Sequence, residues 1–278
     1  QLSALPNVRI LTRTTGFGAY DSGGFGLVER VWDHVAEPPP YQPRQRFHLI
    51  RTKAAVLAAG AIEQPFLFGS NDLPGVMLAA AARCYVNRFA ILPGKKIVVV
   101  ANNDSAFTVA RDLAASGACV TYIDSRQNID TEIAKTLSNH GVEIVTGHAI
   151  WRARGRRRVT AVDIVENQDG KVARQGATRR ITADLIATSA GWAPSCHLWS
   201  HLGHKPVFNS DARVYFPDEA KTPQMFFAGM VASDGSEKSI PFNWFDAGSR
   251  AAAYAGFESA DAGISPILAN IVDAMTIT

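Results

Sequence analysis

From Lys95 to Ala106 the chain reads Lys-Lys-Ile-Val-Val-Val-Ala-Asn-Asn-Asp-Ser-Ala. This is the layout of a strand, a tight loop and the start of a helix, an arrangement that commonly cradles the phosphates of a nucleotide. Such a loop works through its backbone, because small residues let amide groups approach a pyrophosphate. Here the loop positions hold Ala101, Asn103 and Ala106, with no glycine. Asn103 places a side chain where a phosphate belongs. Asp104 and Ser105 suit a helix N-terminus, and the Asp104 carboxylate supplies an anion of its own to the helix dipole. These residue types describe a nucleotide-binding element whose site is filled from within. Asp124 lies about 20 residues further on, where an acid would bond the ribose hydroxyls. It keeps a nucleotide-holding reading open.

Other chemistry is thinly represented, and no catalytic residue is assigned. Ser105 lacks the G-x-S-x-G elbow of a hydrolase nucleophile. His197, His201 and His204 are spaced to share one helix face, but Gly203 and Pro206 interrupt that helix and no acid stands close by. Surface or interface histidines are the better reading than a metal site. Cys84, Cys119 and Cys196 are far apart, without metal-type spacing, which suits a reducing, cytoplasmic compartment. Glu63 falls in a turn, where it faces reaction intermediates or a partner, or caps a neighbouring element. Trp192 either covers a nucleotide or packs a lobe interface.

These groups need a scaffold, and the bulk of the chain can supply one. Its 278 residues are 47% hydrophobic and 19% charged, enough for one or two packed lobes. A formal net charge of +3 is too small to argue for nucleic acid. The run Arg152, Arg154, Arg156, Arg157, Arg158 reads as a solvated hairpin or loop. No apolar stretch is long and pure enough to span a bilayer, and no signal-peptide layout opens the chain. The chain starts at Gln1 in mid-pattern, as a fragment, a processed chain or an incomplete one would.

Periodicity predicts a strand over 8–12, a glycine-rich turn over 15–18, and hairpin arms over 27–35 and 47–52 around a Pro-rich loop. A buried strand follows at 53–61, then a helix over Ala79–Phe89. Beyond the 95–124 unit come a helix over 129–140, a strand over 142–146, and strands over 159–166 and 179–182 around the turn Asp169-Gly170. A strand running into a small-residue turn recurs at Leu57–Ala61, Thr188–Pro194 and Phe226–Gly229. An Ala-rich helix is predicted over 247–257. Strands alternating with helices and hairpins make this an α/β chain with mainly parallel sheets.

The order of these segments resembles the two-dinucleotide-domain flavoprotein disulfide-reductase superfamily. Within it, the chain resembles the alpha subunits of heterotetrameric sarcosine oxidases. The carrying segments are Leu11–Asp21, Asn71–Leu78, Arg83–Phe89, Asn102–Ala106, Gly191–Pro194 and His197–Trp199, within a match from Leu5 to Phe216. The resemblance implies two nested Rossmann-like lobes with β-hairpin insertions: 1–74 and 206–278 form an outer lobe, incomplete at its N-terminus, and 75–205 an inserted one.

It also implies that this chain holds NAD without using it for turnover. A beta subunit carrying FAD would oxidise the N-methyl amine, with FMN near the subunit interface and smaller subunits completing the hetero-oligomer. The residues best placed for NAD are Gly16, Phe17, Ala59, Gly60, Gly229 and Met230, with Phe17 against the adenine and Asp234 and Glu237 toward the nicotinamide half. In FAD-binding members of the superfamily an Asp follows the late Ala-Gly; here Met230 stands there, which disfavours a flavin. Other readings are the alpha subunit of a related amine or opine oxidase or dehydrogenase, and a non-enzymatic interaction module with dead nucleotide sites. A self-sufficient NAD(P)H:flavin reductase is disfavoured by Asn103 and Met230 together.

Overall fold

The computed structural model describes residues 2–168, 171–172, 179–210, 213–232 and 240–257. Contacts divide the chain into an inner unit, 62–192, and an outer unit made of 1–61 and 193–278. The sequence reading set the crossings at 74/75 and 205/206. Phe66, Phe68 and Leu73 pack against a core of the inner unit, and this ties 62–74 to it.

The inner unit is built on a five-stranded parallel sheet. Its strands lie in the order Val76–Leu78, Leu185–Ser189, Lys96–Ala101, Cys119–Asp124, Glu143–Val145. The apolar run at 97–101 is continuous because both faces of the sheet are covered. On one face Ile97, Val99 and Ala101 meet Val109, Ala110 and Leu113 of the helix Ala106–Ala115, with Ala79 and Ala82 of the helix Ala79–Phe89 and Leu137 of the helix Thr131–Asn139 in the same core. On the other face Val98, Val100, Ile123 and Ile186 meet Ile150, Ala153, Val162 and Ile164. The latter come from an antiparallel sheet of His148–Arg154, Ala161–Gln168 and Arg179–Thr182. Asp130 starts the helix Thr131–Asn139 by accepting the N–H groups of Glu132 (2.8 Å) and Ile133 (3.3 Å), satisfying two of its otherwise unpaired donors. The turn predicted at Asp169-Gly170 lies outside the described residues.

The outer unit holds a three-stranded antiparallel sheet, Thr14–Tyr20, Gly24–Arg30 and Gln45–Arg51. The predicted strand at 8–12 is irregular chain instead, and the predicted turn at 15–18 lies inside the first strand. Glycine plays a packing role there. A Cβ on Gly26 would come within 2.8 Å of the Phe17 ring, and one on Gly18 would collide with the Tyr20 ring. Bare backbone at these two positions lets each ring fold over it.

A parallel pair, Ala55–Leu57 beside Met225–Phe227, forms the second element of this unit. The helix Ile240–Tyr254 packs on it through Phe226, Ala228, Ala247 and Ala251. Trp199 is fully buried in the neighbouring core, edge-on to Phe227, and its indole N–H donates to the Thr222 hydroxyl at 2.9 Å. The fold is therefore the α/β architecture expected, with parallel strand pairing in both units. No helix among the described residues is long and apolar enough to cross a membrane.

Candidate functional site

In an open parallel sheet, ligands enter at the carboxyl ends of the strands, at the point where strand order reverses. In the inner unit that point lies between Lys96–Ala101 and Leu185–Ser189, which are direct neighbours in register, Ala101 opposite Ser189. From 96–101 the chain continues outward to Cys119–Asp124 on one side, while 185–189 flanks it on the other.

Asn103 closes this crevice. Its carboxamide NH2 donates to the Ser189 carbonyl oxygen at 3.1 Å and to the Asn102 side chain at 2.9 Å. Its side-chain oxygen accepts the Ser105 N–H at 3.1 Å and the Ser105 hydroxyl. The Ser105 hydroxyl in turn accepts the Trp192 indole N–H at 2.8 Å. Every residue of the loop 101–106 has negative φ, so its amides do not form the left-handed concavity that cradles phosphate.

The ribose position is filled as well. Asp124 is fully buried. Its carboxylate accepts the Arg126 backbone N–H (2.9 Å), two donors of the Arg126 guanidinium (3.0 and 2.8 Å) and the Tyr122 hydroxyl (3.2 Å). Arg126 also reaches back to Asp104 in the loop, at 2.7 Å. Hydrogen bonding to Asp124 holds the guanidinium charged despite its partial burial, and burial beside the same carboxylate pushes the Tyr122 phenol up. Asp124 thus has an arginine where a ribose would bind, and the loop has its own anion where a phosphate would bind. A dinucleotide does not fit these residues.

The outer unit offers a different edge. Its two parallel strands end together at Leu57 and Phe227, and each runs into a turn with a left-handed glycine: Gly60 (φ +69°) and Gly229 (φ +75°). A Cβ at Gly60 would meet open space, while one at Gly229 would lie 3.0 Å from the Trp244 indole nitrogen. Ala59 is exposed, and Met230 sits half-buried in the short 3-10 turn Gly229–Val231. Two left-handed glycine turns at the carboxyl edge of a parallel pair, that of Gly60 facing open space, are suited to a backbone-held phosphate. No described carboxylate follows Gly229 in that turn.

The other residues singled out from the sequence take varied places. Gly16 is in a strand, at a β-bulge, and 3.8 Å separates its hypothetical Cβ from Leu198. Phe17, 42% exposed, lies across Gly26 with its ring 5.8 Å from that of Phe47. Asp234 and Glu237 lie outside the described residues. His197 and His201 are exposed, and the His204 ring rests on Trp199 at 5.3 Å. Among the described residues no group of three His, Cys, Asp or Glu is placed to hold a metal.

Glu63 takes the capping role. It is 5% exposed, and its carboxylate accepts the Ala80 N–H at 2.8 Å, in the first turn of the helix Ala79–Phe89, whose own N-cap Leu78 offers no side-chain bond. Burial pushes its carboxyl above the usual range, with the Ala80 N–H pulling the other way. Sequence reasoning missed Arg126, although an arginine two residues beyond the expected ribose acid was a visible signal. The bond from Asn103 to Ser189 had no sequence signal.

This sheet, its switch-point loop and the paired glycine turns define a dinucleotide-binding oxidoreductase fold, and the chain belongs to the pyridine nucleotide-disulphide oxidoreductase family, whose profile matches residues 41–251. Within that family it is homologous to part of the sarcosine oxidase alpha subunits. It is 36% identical over 84% of its length to Sarcosine oxidase subunit alpha of Rhizobium meliloti (strain 1021), and 33% identical over 93% to that of Corynebacterium sp. (strain P-1). The alignments take in 23% and 27% of those proteins, so the chain spans about a quarter of their length. The fold is shared with T. acidophilum thioredoxin reductase (TM-score 0.62, 14% identity, covering 87% of this chain and 72% of that one). It is also shared with L-proline dehydrogenase from P. horikoshii (TM-score 0.56, 19% identity, 94% and 44%).

Proposed function

We propose that this chain is the nucleotide-carrying scaffold of a sarcosine-oxidase-type alpha subunit. It holds NAD in the outer unit and contributes no catalytic residue of its own. The single observation that carries this reading is the self-filled inner crevice, in which Asn103 and Arg126 occupy the phosphate and ribose positions. A working reductase of this fold needs that crevice for its nicotinamide cofactor, so a chain that has closed it is no turnover reductase. The amine oxidation then belongs to a partner subunit bearing FAD, with FMN and smaller subunits in the same hetero-oligomer, as the sequence resemblance implies; that the relatives are named as one subunit of an oxidase supports the presence of others.

The residues proposed to hold NAD are Gly16, Phe17, Ala59, Gly60, Gly229, Met230 and Asp234. Gly60, beside which there is open space, presents bare backbone to the pyrophosphate, Gly229 shapes the facing turn, and Phe17 gives an apolar surface of the kind that suits an adenine. NAD is a hydride carrier when it turns over; in this reading it is held as a structural group. Met230 offers no charged acceptor, and this supports a dinucleotide other than a flavin there.

The test is calorimetric titration of NAD into the full-length protein, first stripped of bound nucleotide, and into two variants prepared the same way. Gly60→Asp fits the open space, and Asp tolerates the left-handed conformation better than most residues. It sets a carboxylate against the pyrophosphate and should weaken NAD at least tenfold. Asn103→Gly, in the inner loop, should leave the affinity unchanged. Equal affinity in Gly60→Asp and wild type would overturn the site.

A further inference from the structure

The feature of the inner unit that neither its sheet nor its crevice uses is a concentration of positive charge. Seven arginines lie on the antiparallel sheet and the loop joining its first two strands, and two carboxylates meet three of them. Arg154 and Arg180 both close on Asp163, at 2.6 and 2.8 Å, and Arg179 pairs with Glu143. Arg152, Arg156, Arg157 and Arg158 are exposed and have no acidic partner among the described residues. The remaining acid of the described sheet, Glu166, lies at its other end, in register with His148. The whole chain has a formal net charge of only +3, and four exposed arginines stand together at this edge.

The edge is built, not loose. A Cβ at Gly155 would collide with the Arg158 carbonyl oxygen, so a close turn is specified there. The Thr160 N–H returns to the Arg154 carbonyl at 2.7 Å, and buried Val159 donates its N–H to the Pro74 carbonyl at 2.9 Å. The register between His148–Arg154 and Ala161–Gln168 shifts between Ile150 and Arg152. A bulge of this kind re-aims side chains, and Trp151 is left 45% exposed beside Arg152.

We propose that the Trp151–Arg158 edge is a docking surface for an acidic patch on another polypeptide. Arg152, Arg156, Arg157 and Arg158 pair with carboxylates, and Trp151 is the apolar anchor. No lysine occurs between Lys135 and Lys171. Planar guanidinium forks match carboxylates two bonds at a time and lose little hydration in doing so. Trp and Arg are also the residue types that dominate binding energy at protein interfaces. One short rigid loop on an otherwise near-neutral chain is a poor match for the extended charge of a nucleic acid or a membrane. The inference does not depend on which nucleotide, if any, the outer unit holds.

The test places a benzoylphenylalanine photocross-linker at position 151 of the full-length protein, together with the polypeptides that purify with it, and maps the products by mass spectrometry. Cross-links to an Asp/Glu-rich segment are expected. They should fall at least tenfold in R156E/R157E/R158E, and recover when the mapped carboxylates are changed to lysine. Absent cross-links, or a yield indifferent to charge reversal, would overturn the proposal. Duplex DNA and phosphatidylserine vesicles serve as comparison probes. Tight binding of either that is lost in the triple variant, with no acidic cross-link formed, would overturn it in favour of phosphate. Circular dichroism of the triple variant checks that the fold is intact.

Discussion

The Asn103 carboxamide donates to the Ser189 carbonyl oxygen at 3.1 Å, joining the loop after one parallel strand to the end of its neighbour. The bond spans the position at which a Rossmann-type sheet ordinarily admits its ligand, so the residue that stabilises this loop is also the one that excludes a nucleotide. Replacing Asn103 by Ala removes that bond and the support of the Ser105 N–H. Each such bond contributes roughly 0.5–1.5 kcal/mol, so urea unfolding should show a loss of about 1–3 kcal/mol. Nucleotide content should stay the same.

Arg126 gives a sharper effect. Asp124 is fully buried, and Arg126 provides three of its hydrogen bonds. Removing one partner of a buried pair leaves an uncompensated charge and typically destabilises by about 3–5 kcal/mol. Arg126→Ala should therefore lower stability strongly, and Asp124→Asn in the same chain should recover part of the loss. Thermal unfolding of the two single variants and the double variant measures the coupling. Independent, additive losses would contradict the pairing.

For Glu63 the expected effect depends on pH, and its sign follows from burial. Its carboxyl titrates above the usual range when folded, so its contribution to stability is full below the unfolded value and is lost as pH rises through the folded one. Glu63→Gln keeps an acceptor for the Ala80 N–H without that penalty. It should gain on wild type between acidic and neutral pH and converge with it in acid. Glu63→Ala leaves the Ala80 N–H without its acceptor and should cost about 1–3 kcal/mol across the range. Denaturant melts at pH 4 and pH 7 separate the two.

Much of the inner sheet was legible because its signals are local. The helix Ala79–Phe89 matches its predicted span, and the strand Lys96–Ala101 falls where the layout from Lys95 to Ala106 places one. The outer antiparallel sheet was harder to read. Gly16 and Gly18 looked like a turn because glycine usually marks one, whereas here Gly18 makes room for the Tyr20 ring and Gly16 sits at a β-bulge within the strand. The emptied phosphate loop was visible in Asn103 and Asp104, since missing glycines and an added charge are properties of the residues themselves. What fills the crevice was hidden: Ser189 is 86 residues from Asn103, and only the sheet order brings them together. Glu63 stayed open between two roles for the same reason, as Ala80 becomes its partner only once the chain has folded.

The measurement that bears most directly on the central claim is the amount of nucleotide released when the purified full-length protein and its Asn103→Ala variant are denatured. The account predicts one NAD per chain in both, because the inner crevice is filled by the protein and the outer turns hold the ligand. Two nucleotides per chain in the wild type, or a loss of NAD on substituting Asn103, would contradict it.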